Sequence, residues 1–563
     1  MEKQTSGAAT ANPSTPQHLN ASTPQHLSTP ANEVAGEEGL KWAYLEHNGV
    51  VFPENYKPRG LGVWLRGKRV PMDGFQEELA WYWVQSRGTE FAGRAAYARN
   101  FETEFLAALE GTGVGEASLA DFDFSEVEKA MAAEKEAREA QTREEKETAR
   151  AARAAEEAPF RHAIIDWRLE KIANFRIEPP TLFKGRGEHP KAGRLKQRIV
   201  PEDVSLNLAK EAPIPRCGAA GRCWGDPVFD REASWLASYA EPILQSKKYV
   251  FLAAGSRLKG QSDVKKFEKA KRLSGEIAAV RADYRAKMAG GDRKEKQLGT
   301  AAYLIDFLAI RAGNEKGEDE ADTVGCCSLR VEHLSFPAED TLRLCFLGKD
   351  SIEFDKTVKI DHQAWLNLVD FCRGRQPRDD AFDLISASKL NDYLSSLLPG
   401  LTAKVFRTFN ASATLERELT KPLPSQASLE DKLKFYNEAN TSVAVLCNHQ
   451  KTVSEKARAG LEKQEQKLAE VTARLKKIKK TDPEHRKLEK GAKKLEAALK
   501  VRNQTMNVAL STSKINYNDP RISVAWCKKN EVPIEKIFSS VMLEKFTWAM
   551  DSPSLYQFVQ KSD

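Results

Sequence analysis

Residues Ser511–Lys529 read STSKINYNDPRISVAWCKK, a polar run carrying Tyr517 that turns abruptly apolar. A tyrosine taken singly is a structural residue, and Tyr303 and Tyr436 stand in stretches that read as buried. Upstream of Tyr517 lies the most basic part of the chain, with 17 Lys/Arg against 8 Asp/Glu between Lys451 and Arg502, a local +9. Leu461, Leu468 and Leu475 recur there every seven residues, with Val471 and Ile478 in the alternate seam, and a second seam follows at Leu488, Ala492, Leu495 and Leu499. Asp482-Pro483 between them is an N-cap followed by proline at the first helical position. The pattern predicts two antiparallel helices joined by a short turn, either a solvated spacer or a basic arm that lies along a polyanion.

Further upstream, four cations punctuate apolar text. YLIDFLAIRAGNEKG reads as a mostly buried helix followed by Arg311. A charge among apolar neighbours needs an anion, either a carboxylate or a phosphate held in the guanidinium fork. RLCFLGKDSIEF reads as two strands joined by a Gly-Lys-Asp turn with Lys349 at the tip, by itself an ordinary surface lysine. LTAKVFRTFNASATL places Arg407 on an apolar stretch, and TSVAVLCNHQ ends on His449, which by itself fits a structural helix cap as well as a reactive group.

The chain has 563 residues, enough for several cores, with 41% hydrophobic and 30% charged residues and a net charge of +7. Apolar runs fall short of the roughly 18 residues that span a bilayer, and the N-terminus lacks a basic-then-apolar signal pattern. Eight scattered cysteines without a CxxC pair are expected to be reduced thiols of an intracellular protein, not disulfides or zinc ligands. Residues 1–38 are rich in Ser, Thr, Pro and Asn, with a near-repeat at Ser14 and Ser22, and are expected to be disordered. Glu126–Glu157 predicts a charged, solvent-exposed helical connector. Mixed text with Pro and Gly turns runs from Phe160 to about Leu244, and mainly helical text from Lys247 to Gln450.

Taken together, the order Arg, Lys, Arg, His, Tyr inside RAGNEKGEDEADTVGCCSLRVEH, FLGKDS, KVFRTFNAS, LCNHQ and SKINYNDPRISVAWCKK resembles the eukaryotic type IB topoisomerases. KWAYLEHNGVVFPENY, KIANFRIEPPTLFKGRGEHPK, SRLKG and VPIEKIF are similar to segments of the same family, so the resemblance covers residues 40 to about 553. It implies a mixed α+β fold, predominantly α in the catalytic half: a bilobed DNA clamp whose catalytic domain is like that of tyrosine recombinases, with a coiled-coil hairpin linker. The expected divisions are a tail (1–38), a cap lobe (39–245), a catalytic lobe (246–450), the linker (451–508) and a C-terminal domain (509–563).

The resemblance further implies that Tyr517 is the nucleophile, that Arg311, Arg407 and His449 contact the non-bridging phosphate oxygens, and that Lys349 is the general acid. Arg186, Asp350, Asn516, Lys259 and Lys404 would contact DNA or camptothecin-type inhibitors at the nick. The expected activity is relaxation of double-stranded DNA by a monomer, with little sequence preference and with neither ATP nor metal. A nuclear location is implied, although the tail contains a single lysine and LKKIKK (Leu475–Lys480) is a weak import signal. Two rival readings are a tyrosine recombinase, which cuts at one defined site, and a non-catalytic clamp that scaffolds chromatin.

Overall fold

The computed structural model of the chain describes residues 39–219, 221–314, 322–424, 426–450, 455–477 and 508–559, with scattered helical positions between 485 and 499. The expected tail, the second half of the LKKIKK run, Ile478–Lys480, and the Asp482-Pro483 turn lie outside the described residues. The fold mixes helices with small antiparallel sheets, and its apolar residues gather into three cores.

The first core joins the antiparallel strands Gly62–Leu65, Lys68–Pro71 and Phe122–Asp123 to helices Gly74–Arg87 and Ala95–Ala108. Trp83 stacks on Phe101 at 4.6 Å between ring centroids. The charged connector forms as expected, but as two helices, Ser125–Ala140 and Arg143–Glu157. The break falls where Thr142 and Glu145 form a capping box, which starts a new helix instead of continuing the old one. Buried Glu157 anchors the connector's end by binding Arg176 (2.6 Å) and Arg161 (2.9 Å).

The second core lies between the sheet of Leu45–His47, His162–Ile165 and Arg168–Lys171 and the sheet of Ser205–Leu206, Trp235–Ala240 and Lys247–Phe251. Here the structure differs from the sequence reading, which began the helical half at Lys247. Lys247–Phe251 is a strand paired antiparallel with Trp235–Ala240, so the division expected at 245/246 falls inside a hairpin turn, at Gln245 (φ 54°). Aromatic pairing across the strands, Trp235 with Tyr249 at 5.7 Å, favours the sheet. Helix begins at Arg257, capped by the Ser256 hydroxyl.

The third core is built by helices Arg257–Ala289, Arg293–Leu308, His362–Cys372, Ala387–Leu397, Ala403–Leu419 and Leu429–Leu446. Ile522, Val524, Trp526, Phe538, Phe546 and Phe558 belong to this same core, so the C-terminal segment completes the helical lobe and has no core of its own among the described residues. Helix Arg293–Leu308 stops because Ala309 takes the left-handed conformation (φ 51°). Arg311 therefore lies beyond the helix with an exposed side chain, and the buried cation expected there is instead Arg407, only 4% exposed. Asp306 sets the register of the two helices by accepting from Arg281 (2.8 Å) and Tyr284 (2.9 Å), while Asn410 donates to its backbone oxygen at 2.7 Å.

Strands Thr341–Gly348 and Ile352–Lys359 pair along their whole length and close through the turn Lys349–Ser351, which puts Lys349 at an exposed tip as expected. Helix Glu455–Lys477 begins the basic segment, with half-buried Leu461, Gln464, Leu468, Val471 and Leu475 on one seam. In the second arm Leu488, Ala492, Leu495 and Leu499 are helical, with Ala492 and Leu499 buried. A bridge between Gln450 and Val508 brings the two ends of this excursion together.

Candidate active site

The site is assembled from chain segments that meet at the ends of helices. Arg407 projects from the middle of Ala403–Leu419, where Nη1 donates to Ala309 O and Nη2 donates to Cys447 O at 3.0 Å. Those two carbonyls end separate helices, so one guanidinium fork ties both helix ends to a third helix. His449 follows Asn448, which is left-handed at φ 52°, and its backbone N–H donates back to Ala444 O at 2.9 Å. The helix-ending role weighed for His449 thus belongs to its backbone, leaving the imidazole for the site. Its Nδ1 lies 2.8 Å from Ser513 Oγ, while its buried Nε2 has no hydrogen-bond partner among the described residues.

Tyr517 caps the short helix Leu510–Asn516 and is half-buried. Its ring lies 5.1 Å from that of His449, nearly parallel at 25°, and 5.0 Å from the Arg407 guanidinium carbon. The Ser412 hydroxyl, on the same helix as Arg407, donates to Tyr517 O at 3.2 Å and accepts from Asp519 N at 3.0 Å, fixing the Tyr517 backbone to that helix. Arg311, Lys349, Arg407 and His449 all line one cleft of about 150 Å³, against which Tyr517 packs.

Burial raises the Tyr517 phenol's pKa, but Arg407 and then Arg311 outweigh it and hold the group below its ordinary value. Burial, reinforced by the same two arginines, lowers His449 to about 3, so the imidazole is neutral near pH 7. Arg311 is likewise lowered, first by desolvation and then by Arg407. The cleft offers converging cations and a neutral imidazole nitrogen, a donor set suited to charge building up on a phosphoryl group.

The remaining expected residues do not line the cleft. Arg186 sits between Gly185 (φ 63°) and Gly187 (φ 57°), conformations that favour glycine. The Gly187 carbonyl accepts from Arg94 at 2.8 Å, and a Cβ at Gly187 would come within 2.6 Å of Ser351 Oγ, so this loop meets the hairpin turn holding Lys349 and Asp350. Asn516 is exposed beside Tyr517. Lys259 lies 4.1 Å from the Phe251 ring centroid, and Lys404 is exposed. Lys266 is a cation that sequence reasoning missed: its Nζ donates to Asn516 O at 3.4 Å, and burial, with Lys545 and Lys404 nearby, lowers its pKa. Its position seven residues after Lys259 on one helix was the available signal. Ser513 was also missed.

Two groups among the described residues bring metal-type ligands together, Glu339–Asp340–His362 and Cys345–Glu353–Asp355. Neither includes a residue of the cleft, and members of both are already engaged, His362 by Asp340 at 2.6 Å and Asp355 by Arg343 at 2.8 Å. All eight cysteines are free thiols.

The family model for the eukaryotic DNA topoisomerase I DNA-binding fragment matches residues 40–252, that for its catalytic core residues 255–482, and that for the C-terminal topoisomerase domain residues 489–558. DNA topoisomerase I, mitochondrial, of Pan troglodytes is 39% identical, with 91% of each chain covered. The chain belongs to the eukaryotic DNA topoisomerase I family. DNA topoisomerase 1 alpha of Arabidopsis thaliana is 42% identical over 95% of this chain and 61% of the relative. DNA topoisomerase 1 of Caenorhabditis elegans is 39% identical over 91% and 67%. The chain therefore spans about three fifths of the length of the Arabidopsis member. The family boundary between residues 252 and 255 follows the end of strand Lys247–Phe251, where the second core gives way to the helical lobe.

Proposed function

We propose that this chain relaxes positive and negative supercoils in duplex DNA by cutting one strand, holding its 3′ end on Tyr517 and resealing it after rotation. The observation that carries this reading is Tyr517 packed against both Arg407 and His449, beside the cleft lined by Arg311 and Lys349. The Tyr517 oxygen attacks phosphorus, with its phenolic proton lost to solvent. The bond from phosphorus to the 5′ oxygen breaks, and Lys349 protonates the leaving oxygen. Arg311, Arg407 and His449 Nε2 donate to the non-bridging oxygens as charge accumulates there. The phosphotyrosyl ester conserves the energy of the broken bond, so the reverse attack by the 5′ hydroxyl reseals the strand without ATP or metal.

On this reading the three cores form a clamp around DNA, the catalytic lobe works like that of a tyrosine recombinase, and the basic excursion is a coiled-coil arm. Supporting the arm are the seam on Glu455–Lys477 and the joined ends at Gln450 and Val508. Binding through phosphates gives little sequence preference. The protein acts as a monomer, and camptothecin-type inhibitors stack at the nick near Arg186, Asp350 and Asn516. Its location is the nucleus; one relative's name says mitochondrial, and fluorescence microscopy of the tagged protein distinguishes the two.

The test is relaxation of positively and negatively supercoiled plasmids with excess chelator and no ATP, comparing wild type with Tyr517→Phe. Relaxation by wild type alone supports the proposal, and relaxation by the variant overturns the assignment of Tyr517. Cleavage mapping that finds one defined site instead of many would favour recombination.

A further inference from the structure

Ser513 is fully buried, and its hydroxyl faces another residue's ring instead of bonding within its own turn of helix. Three bonds make it a junction. Its backbone oxygen accepts from the N–H groups of Tyr517 and Asn518, both at 2.9 Å, which fixes where the tyrosine leaves the helix. Its Oγ lies 2.8 Å from His449 Nδ1, and His449 belongs to a different segment, joined to this one by Ala509 N donating to His449 O at 2.8 Å. The helix is itself braced, since Asn440 donates to Leu510 O at 2.9 Å and Asn518 donates to Asn440 at 3.1 Å. Ser513 is therefore held independently of the histidine it touches.

A neutral imidazole has one N–H donor and one acceptor nitrogen. If the proton sat on Nδ1, with the Ser513 oxygen accepting it, Nε2 would present a lone pair to an incoming phosphate oxygen and repel it. If the Ser513 hydroxyl donates to Nδ1, the proton is on Nε2, the buried nitrogen that has no hydrogen-bond partner among the described residues. A hydroxyl also rotates to accept from Nδ1–H should His449 become protonated beside a phosphate, so it supports both donor forms of the ring. Alanine supports neither. Because Ser513 and Tyr517 share one helix, docking this helix both delivers the nucleophile and orients the histidine.

We propose that Ser513 is a positioning residue for the cleavage reaction, its hydroxyl holding the plane of His449 and donating to Nδ1 so that Nε2–H points at a phosphate oxygen. The assignment rests on the phosphotyrosyl mechanism proposed above.

The experiment is single-turnover formation of the covalent adduct on a suicide duplex by the full chain, comparing wild type, Ser513→Ala, Ser513→Thr, His449→Ala and the Ser513→Ala/His449→Ala double variant. Duplex affinity is measured in parallel on Tyr517→Phe forms. Partners that orient metal-bound histidines are worth about 10- to 100-fold, and by analogy Ser513→Ala should slow cleavage by about that factor with duplex affinity unchanged. Threonine, which keeps the hydroxyl, should restore most of the rate, and the double variant should be no slower than His449→Ala. Wild-type cleavage by Ser513→Ala would overturn the assignment. So would an equal slowing in the His449→Ala background, because the serine would then act through the packing of the tyrosine helix. If wild type itself forms no adduct, the phosphotyrosyl mechanism falls and this assignment with it, an outcome distinct from both.

Discussion

Replacing Arg407 by glutamine separates what this side chain does for the fold from what it does for the chemistry. The guanidinium is 4% exposed, donates to Ala309 O and Cys447 O, and lies 5.0 Å from the Tyr517 ring. Glutamine satisfies one of those carbonyls and leaves the other buried and unpaired, a loss of about 1–3 kcal/mol. Removing the buried charge relieves some desolvation, which places the expected loss toward the lower end. The chemical step loses more, because removing one preorganised donor from a developing oxyanion slows a reaction about 10²- to 10³-fold. Arg407 is also the larger of the two influences that hold the Tyr517 phenol down against its burial, so without it the phenol's pKa rises and cleavage shifts to higher pH. The assay is adduct formation on a suicide duplex across the alkaline range, with denaturant unfolding of the same preparations. Cleavage within about threefold of wild type at neutral pH, equivalent to under 1 kcal/mol, would refute the role derived for this cation.

Three more outcomes follow from the same geometry. His449 is held at about 3 in the folded protein against about 6.5 unfolded, so the unfolded chain binds the proton first. Its contribution is whole above about pH 6.5 and declines as pH falls toward 3, by about 2 kcal/mol at pH 5. His449→Gln should remove this part of the acid loss, read as unfolding free energy at pH 7 and pH 5, and unchanged acid sensitivity would contradict it; His47, lowered to about 4 by burial, acts in the same direction in both proteins. Asp306→Ala leaves Arg281 and Tyr284 without their acceptor, while Asn410 keeps the backbone oxygen, and should destabilise by about 1–3 kcal/mol, mostly through the buried Tyr284 hydroxyl, since Arg281 is partly exposed; a melting temperature equal to wild type would refute it. Binding that neutralises about eight phosphates gives a log–log salt slope of roughly −7. Replacing exposed Lys463, Lys467 and Arg474 by alanine should make that slope shallower by about 2–3, and no change would mean that this helix does not lie along DNA.

Taken singly, Arg407, His449 and Lys349 each fitted an ordinary structural role, and what singled them out was their order, Arg, Lys, Arg, His, Tyr, inside long segments that resemble one family. Arg311 was recognised for the wrong reason: the left-handed Ala309 ends the helix and turns the arginine outward, an effect that periodicity does not register. Strand Lys247–Phe251 was missed because a short apolar run is ambiguous until its partner is known. Lys266 carried only the signal of its spacing from Lys259, and Ser513 none beyond an ordinary helix residue, since their importance lies in what faces them.

The sequence by itself determined the charge pattern, the heptad seam and the turn that carries Lys349, because turn chemistry and hydrophobic period act over a few neighbouring residues. The tertiary structure alone decided that the C-terminal segment shares the core of the catalytic helices, that one buried arginine ties three helices together, and that Ser513 reaches His449. The physical reason is distance along the chain: these contacts join residues far apart in sequence, and only packing the whole core brings them within the few ångströms over which a hydrogen bond or a cation acts.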